Sequence, residues 1–171
     1  MRYGHATRVL ATLAVVGLLG LAALAHAANP VVKTVPWVAT NPLIPHDTWS
    51  GKTITLKGTA DVQNGTPAGT TYGWTWDFGD GSPVATGTVT NKYVIEAPHA
   101  YTGSVGTIFT AQLTVQNLST GETGSKEYYV KIEAKDLPVE VNVAIDEGLW
   151  YLHKTQTRTT SGVMDYGYWS S

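Results

Sequence analysis

Two aspartates beside glycines form the chemically richest stretch of this 171-residue sequence. Residues 74–82 read WTWDFGDGS, so Asp77 and Asp80 stand three positions apart, with Gly79 and Gly81 on either side of the second aspartate. Carboxylates in such a loop could bind calcium, act as an acid/base pair, or hydrogen-bond the amides of a tight turn. The spacing alone leaves the three chemistries open.

The number of oxygen ligands that calcium needs favours a structural turn over a calcium site. Calcium takes about six to eight oxygen ligands, so Asp77 and Asp80 would need carbonyls and a further carboxylate such as Asp47 or Asp61. A glycosidase-like pair needs a cleft and a wider separation of its carboxyl groups. We therefore expect a structural turn, with calcium as the alternative and no other cofactor.

Other catalytic and metal-binding patterns are absent from the sequence. It contains no nucleophile motif, phosphate loop or cofactor fingerprint. Downstream of residue 27, His46, His99 and His153 are too far apart for the paired ligand spacing of zinc sites. Zero cysteines exclude disulfides and thiol chemistry. We expect no catalytic residue and no enzyme activity.

The N-terminus has the pattern of a signal peptide over residues 1–27. Arg2 and Arg8 precede an apolar run over residues 9–25, which ends in the Ala-His-Ala pattern that signal peptidase accepts. Cleavage predicts a secreted or cell-surface protein, extracellular or periplasmic. An uncleaved run of this length would be a membrane anchor.

Charge excludes nucleic acid as a partner. The sequence has 11 basic and 13 acidic residues, and removal of Arg2 and Arg8 with the leader leaves 9 basic against 13 acidic. It contains no Lys/Arg cluster that would bind nucleic acid or an anionic membrane. The partners expected are an extracellular protein or a polysaccharide surface.

Short alternating segments predict an all-β antiparallel sandwich over residues 28–134. Alternation is clearest in residues 109–115 and again in 128–132. Residues 53–57 predict a short strand that ends at Gly58. Four prolines in residues 28–50 predict an extended N-terminal segment without helix or central strand.

The aromatic residues before the acidic turn predict one strand face. Tyr72, Trp74 and Trp76 recur at period two, as side chains on one side of a strand do. Trp76 and Phe78 can then enter the core while Asp77 faces the rim.

The pattern changes to helical after residue 134. Val141, Ile145, Leu149 and Leu152 are spaced four, four and three apart, which predicts an amphipathic helix within a linker-plus-helix segment, residues 135–171. A single helix cannot bury such a stripe by itself. The helix is therefore expected either to dock on the sandwich or to open a truncated second domain.

Three motifs together resemble the PKD (polycystic-kidney-disease) repeat: WDFGDG at residues 76–81, PHAY at 98–101 and FTAQLTV at 109–115. The resemblance implies an immunoglobulin-like β-sandwich with a core of about residues 33–134. The structural motif comprises Trp76, Asp77, Phe78, Gly79, Asp80, Gly81, His99 and Tyr101. A buried Tyr101 hydroxyl is expected to tie down a nearby loop.

The C-terminal part has a second resemblance. Residues 144–156 (AIDEGLWYLHKTQ) and 164–171 (MDYGYWSS) are similar to the opening helix and aromatic turn of an α/α-toroid repeat of the terpenoid-cyclase and prenyltransferase-like group. The similarity implies a longer natural protein, and no active-site residue is carried over.

These observations lead to three functional hypotheses. The first is an exported, non-catalytic PKD-like module for adhesion, spacing or protein contact. The second is an accessory domain of a larger secreted enzyme. The third is a calcium- or glycan-binding domain, with Trp37, Trp49 and Tyr72 as candidates for stacking on sugar rings.

Overall fold

The computed structural model describes residues 29–62, 69–161 and 164–169; the predicted signal peptide lies outside them. The described part contains ten strands and one α-helix besides a 3₁₀ turn. The strands are β1 (Pro30–Val35), β2 (His46–Thr48), β3 (Thr53–Val62), β4 (Tyr72–Asp77), β5 (Ala85–Val89), β6 (Ile95–Ala100), β7 (Ile108–Asn117), β8 (Thr123–Ile132), β9 (Thr157–Ser161) and β10 (Met164–Tyr168). The helix is α1 (Leu137–Thr155). Within the described ranges, no helix combines the length and the hydropathy that crossing a membrane requires.

Two sheets form the sandwich. The first has the order β1-β3-β6 and is antiparallel, and the second has the order β2-β8-β7-β4-β5. The predicted all-β sandwich is therefore confirmed. The observed sandwich differs from the predicted antiparallel one in a single edge pair, because β2 runs parallel to β8.

The core lies between the sheets, where period-two alternation turns large side chains inward. Trp76 is completely buried and meets the Tyr128 ring edge-on at 6.2 Å between centroids. Other completely buried members on β4, β7 and β8 are Tyr72, Ala111, Leu113, Val115, Val130 and Ile132. The predicted alternation of these strands is confirmed.

The predicted end of the strand at Gly58 is wrong, because β3 continues to Val62. A Cβ at Gly58 would overlap the Leu113 side chain of β7. The glycine therefore admits a core side chain at close range instead of ending the strand.

The proline-rich N-terminal segment is more regular than predicted. It contributes β1 and β2, each at the edge of its sheet, with a 3₁₀ helix (Trp37–Thr40) between them. Edge positions tolerate proline because one side of an edge strand needs no ladder bonds. The expectation of no central strand holds, whereas the expectation of no helical turn is wrong.

Three further strands were not predicted. β5 pairs with β4, and β9 pairs with β10 as a hairpin after α1. The β5 sequence ATGTV has little apolar alternation to mark it as a strand. In β4–β5, Gly87 lets the Trp74 ring lie over the β5 backbone.

Helix α1 begins where the sequence places its signals. The Asp136 carboxylate accepts the Val139 amide at 3.1 Å, and Pro138 occupies the first turn. These features cap the free amides of a helix start. The helix contacts β2 of one sheet and β3 of the other, so it docks on the sandwich.

Candidate functional site

The acidic turn after β4 is a hydrogen-bonded turn. The Gly79 amide donates to Oδ1 of Asp77 at 2.9 Å, and the Ser82 amide donates to Oδ1 of Asp80 at 3.0 Å. Gly79 and Gly81 have φ values of 72° and 82°, which side chains with a Cβ resist. In this structure both aspartates serve their own turn.

An aromatic cluster joins this turn to β6. His99 stacks on Phe78 with ring centroids 3.8 Å apart and meets Tyr101 edge-on at 4.6 Å. Its Nε2 lies 2.7 Å from Oδ2 of Asp80. Partial burial opposes ionisation of Asp80, but hydrogen bonds from Ser82 and His99 outweigh it and lower its pKa to about 2.

The predicted role of the Tyr101 hydroxyl is wrong. The side chain is buried, and its hydroxyl has no hydrogen-bond partner among the described residues. Burial raises the pKa of this phenol. The Tyr101 carbonyl instead accepts the Gly51 amide at 2.8 Å, so the backbone fixes the loop.

The four aspartates that could bind calcium lie on different elements: Asp77 at the end of β4, Asp80 in the turn after it, Asp47 on β2 and Asp61 on β3. Asp61 pairs with Lys92, and Asp47 lies on β2, where burial and Glu133 raise its pKa. Among the described residues, no three His, Asp or Glu side chains gather closely enough to hold a metal ion. The expectation that the turn at Asp77 and Asp80 binds no calcium stays a prediction.

The three aromatic candidates for sugar stacking have different environments. Tyr72 is completely buried, so the prediction that it contacts a sugar is wrong. Trp49 is partly buried, with the ammonium groups of Lys52 and Lys135 within 5.6 Å of its ring. Trp37 is 75% exposed and lines a groove of about 420 Å³.

A buried polar cluster joins α1 to β3. The Lys57 side chain is 0% exposed and contacts the carboxylates of Asp146 and Glu147, the latter at 3.3 Å. β1 pairs with β3 only from Lys57 to Val62, so the Thr55 amide lies beyond the end of β1 and is free to bind a side chain. That amide donates to Oε1 of Glu147 at 3.0 Å.

A second cluster fixes the C-terminal half of α1 to β6. The Trp150 indole donates to Oε2 of Glu96 at 2.7 Å, and Lys154 pairs with the same carboxylate at 3.0 Å. The His153 ring stacks on Trp150 and its Nε2 donates to the Tyr93 carbonyl at 2.8 Å. The rotation of α1 about its axis is thereby fixed.

The predicted apolar stripe of α1 faces solvent. Its four residues are 43 to 61% exposed: Val141, Ile145, Leu149 and Leu152. The buried face instead carries Val139, Val143 and Trp150. Local sequence pattern does not reveal this inverted orientation, because its cause, the pairing of Lys57 with Asp146, joins residues 89 positions apart.

The chain is similar to two domains among the solved structures. The PKD domain of the human VPS10 domain-containing receptor SorCS2 matches at 14% identity and a TM-score of 0.40, over 65% of this chain and 77% of that chain. The domain from an M14-like peptidase of a Thermoplasmatales archaeon matches at 15% identity and 0.37, over 61% and 93%. Both are PKD domains.

The predicted resemblance to PKD domains thus has counterparts among solved structures. No protein-family model matches the chain, and neither does any curated protein. The resemblance of residues 144–171 to an α/α-toroid stays a prediction.

Proposed function

We propose that this chain is an exported, non-catalytic β-sandwich module that holds α1 so that its apolar face contacts another protein. The observation that carries this proposal is the exposed stripe Val141, Ile145, Leu149 and Leu152. Water disfavours exposed apolar surface, and contiguous patches mark interaction sites in soluble proteins. Amphipathic helices bind partners through residues at this spacing.

The polar anchors support the proposal, because they hold α1 in the orientation that exposes the stripe. Lys57 holds the middle of the helix and Glu96 holds its C-terminal half. The ion pairs of Lys57 with Asp146 and of Lys154 with Glu96 both join α1 to the first sheet. In a longer protein the same face would seat a further domain, which is the accessory-domain alternative.

Photo-crosslinking in the producing cell tests the proposal. A benzophenone amino acid replaces Leu149 on the face, and a matched variant replaces Thr88, which is exposed on β5. We expect a discrete protein adduct from position 149 only, lost when Ile145→Glu is added, with the partner identified by mass spectrometry. Absence of adducts at 149, or identical adducts at 88, would contradict the proposal.

A second candidate function is polysaccharide contact at Trp37. Its exposed indole lines a groove together with Lys33, Thr40 and Lys126, a combination that suits an acidic sugar chain. Co-sedimentation with polygalacturonate should then fall several-fold in Trp37→Ala and stay unchanged in Leu43→Ala, another exposed residue. Equal binding by both variants would exclude this site.

A further inference from the structure

The Lys57 amine is in an unusual position for a lysine. Long charged side chains normally extend their heads into water, and they are almost never fully buried unless paired. The Lys57 side chain is 0% exposed, while the carboxylates it contacts are partly accessible, Asp146 at 15% and Glu147 at 36%. A primary amine is thus held in the protein interior against two carboxyl groups.

Glu147 is oriented independently of Lys57. Its Oε1 accepts the Thr55 amide at 3.0 Å and lies 3.3 Å from Nζ of Lys57. Partial burial opposes its ionisation, but the Thr55 hydrogen bond and the Lys57 charge outweigh this and lower the pKa of Glu147. The Glu147 side chain is therefore an ionised carboxylate that can accept a proton from Nζ of Lys57.

Two further buried groups lie near this cluster, and burial disfavours the charged form of each. His46 is buried, and burial lowers its pKa, so the ring favours its neutral form. Tyr128 lies 5.9 Å from it between ring centroids and has a hydroxyl without a hydrogen-bond partner among the described residues. Burial away from water makes separated charges costly at this site.

We propose that Lys57 and Asp146 condense within the folded chain to form an amide bond between Nζ of Lys57 and Cγ of Asp146. This cross-link is independent of the proposed contact function. It would fix α1 to β3 covalently in a sequence that has no cysteine for disulfides.

The step balances without any co-reactant. Nζ first gives one proton to the Asp146 carboxylate, leaving an amine and a carboxylic acid. The Nζ lone pair attacks Cγ while Glu147 accepts a second proton from Nζ. Glu147 returns this proton to the leaving oxygen, the Cγ–O bond breaks and one water departs. Two lysine protons and one aspartate oxygen form that water.

The contact between the Lys57 amine and the Asp146 carboxyl group favours the condensation. Groups held in reactive contact gain effective concentrations of roughly 10⁵–10⁸ M, which favours an intramolecular condensation that is unfavourable in free solution. Release of the water to solvent and loss of two buried charges act in the same direction.

Mass spectrometry of the purified full chain tests the proposal. We expect a mass about 18 Da below that of the same chain without the bond, the mass of one water. Proteolysis should yield a linked pair of peptides containing Lys57 and Asp146. A chain at full mass, or a water loss confined to one peptide, would overturn the proposal.

Variants distinguish the two reacting side chains, Lys57 and Asp146, from the proton acceptor Glu147. Lys57→Arg and Asp146→Ala should have no mass loss. Asp146→Asn should lose about 17 Da, because ammonia is released in place of water. Glu147→Gln should stay largely unlinked while its circular dichroism matches the parent; full linkage there would exclude the assigned proton transfer. Lys92→Arg, which replaces the amine paired with Asp61 by a guanidinium, is the matched control and should keep the loss.

Discussion

His99 and Asp80 are held together at 2.7 Å between Nε2 and Oδ2, so the turn after β4 is tied to a strand that follows 19 positions later. Phe78 stacks on the face of the same imidazole, with ring centroids 3.8 Å apart. The motifs WDFGDG and PHAY therefore form a single structural unit in the folded chain, although the sequence separates them.

Acid should weaken this unit. The folded pKa of Asp80 is lowered to about 2 from its ordinary 3.8, so its carboxylate stabilises the fold above about pH 4. This contribution is lost as pH falls towards 2. Asp80→Asn should cost about 1 kcal/mol at pH 5. Urea unfolding of both proteins should show this gap closing between pH 4 and 2; a constant gap would contradict the pairing.

Calcium should leave the melting temperature unchanged if Asp77 and Asp80 serve only their turn. A bound ion at a hundred times its Kd would add about 2.7 kcal/mol, which a thermal scan detects easily. A calcium-dependent rise of several degrees that disappears in Asp80→Asn would place a metal site here.

The two turn glycines should respond differently to alanine. Gly79 and Gly81 both have positive φ, which costs a residue with a Cβ about 1–2 kcal/mol. A Cβ at Gly79 would also overlap the Thr110 carbonyl, whereas one at Gly81 meets open space. Gly79→Ala should therefore cost about 1–3 kcal/mol more than Gly81→Ala. Chemical denaturation measures both, and equal losses would show that the Thr110 backbone can shift freely.

Tryptophan truncation should separate the core from the surface. Trp76 is completely buried, so Trp76→Ala should lower the free energy of unfolding by about 3–5 kcal/mol. Trp37→Ala removes the same side chain from an exposed position and should change it by about 0.5 kcal/mol or less. A loss below about 1 kcal/mol in Trp76→Ala would be incompatible with the packing of β4.

Helix α1 should open before the sheets do. It is attached along one face, whereas β7 is paired on both sides by β4 and β8. Amide hydrogen exchange should therefore find lower opening free energies in α1 than in β7. Equal protection would mean that α1 unfolds only together with the sandwich.

Local pattern predicted much of the fold. The strict alternation of β7 and β8 marked them as strands, and the spacing of apolar residues marked α1 as a helix. Local pattern does not predict β5, because ATGTV has no large side chain. It predicts too early an end for β3, because a glycine is typical of a strand boundary. Packing against Leu113, which no local rule reveals, decides the role of Gly58.

The candidate site was predictable only where its contacts are local. The bonds of Asp77 and Asp80 to amides two positions away follow from turn chemistry. The pairing of Lys57 with the α1 carboxylates joins distant parts of the chain, and it decides which face of the helix is exposed. Helical spacing identifies a stripe but does not say whether it faces inward.

The parallel pairing of β2 with β8 has a mechanical consequence. Both strands run in the same direction, so the chain enters β2 at one end of the pair and leaves β8 at the other. Tension applied along the chain at these two points pulls the strands past each other in opposite directions. The backbone hydrogen bonds between the two strands then resist the force together instead of breaking one after another. One of them is donated by the Glu133 amide to the Thr48 carbonyl at 2.7 Å.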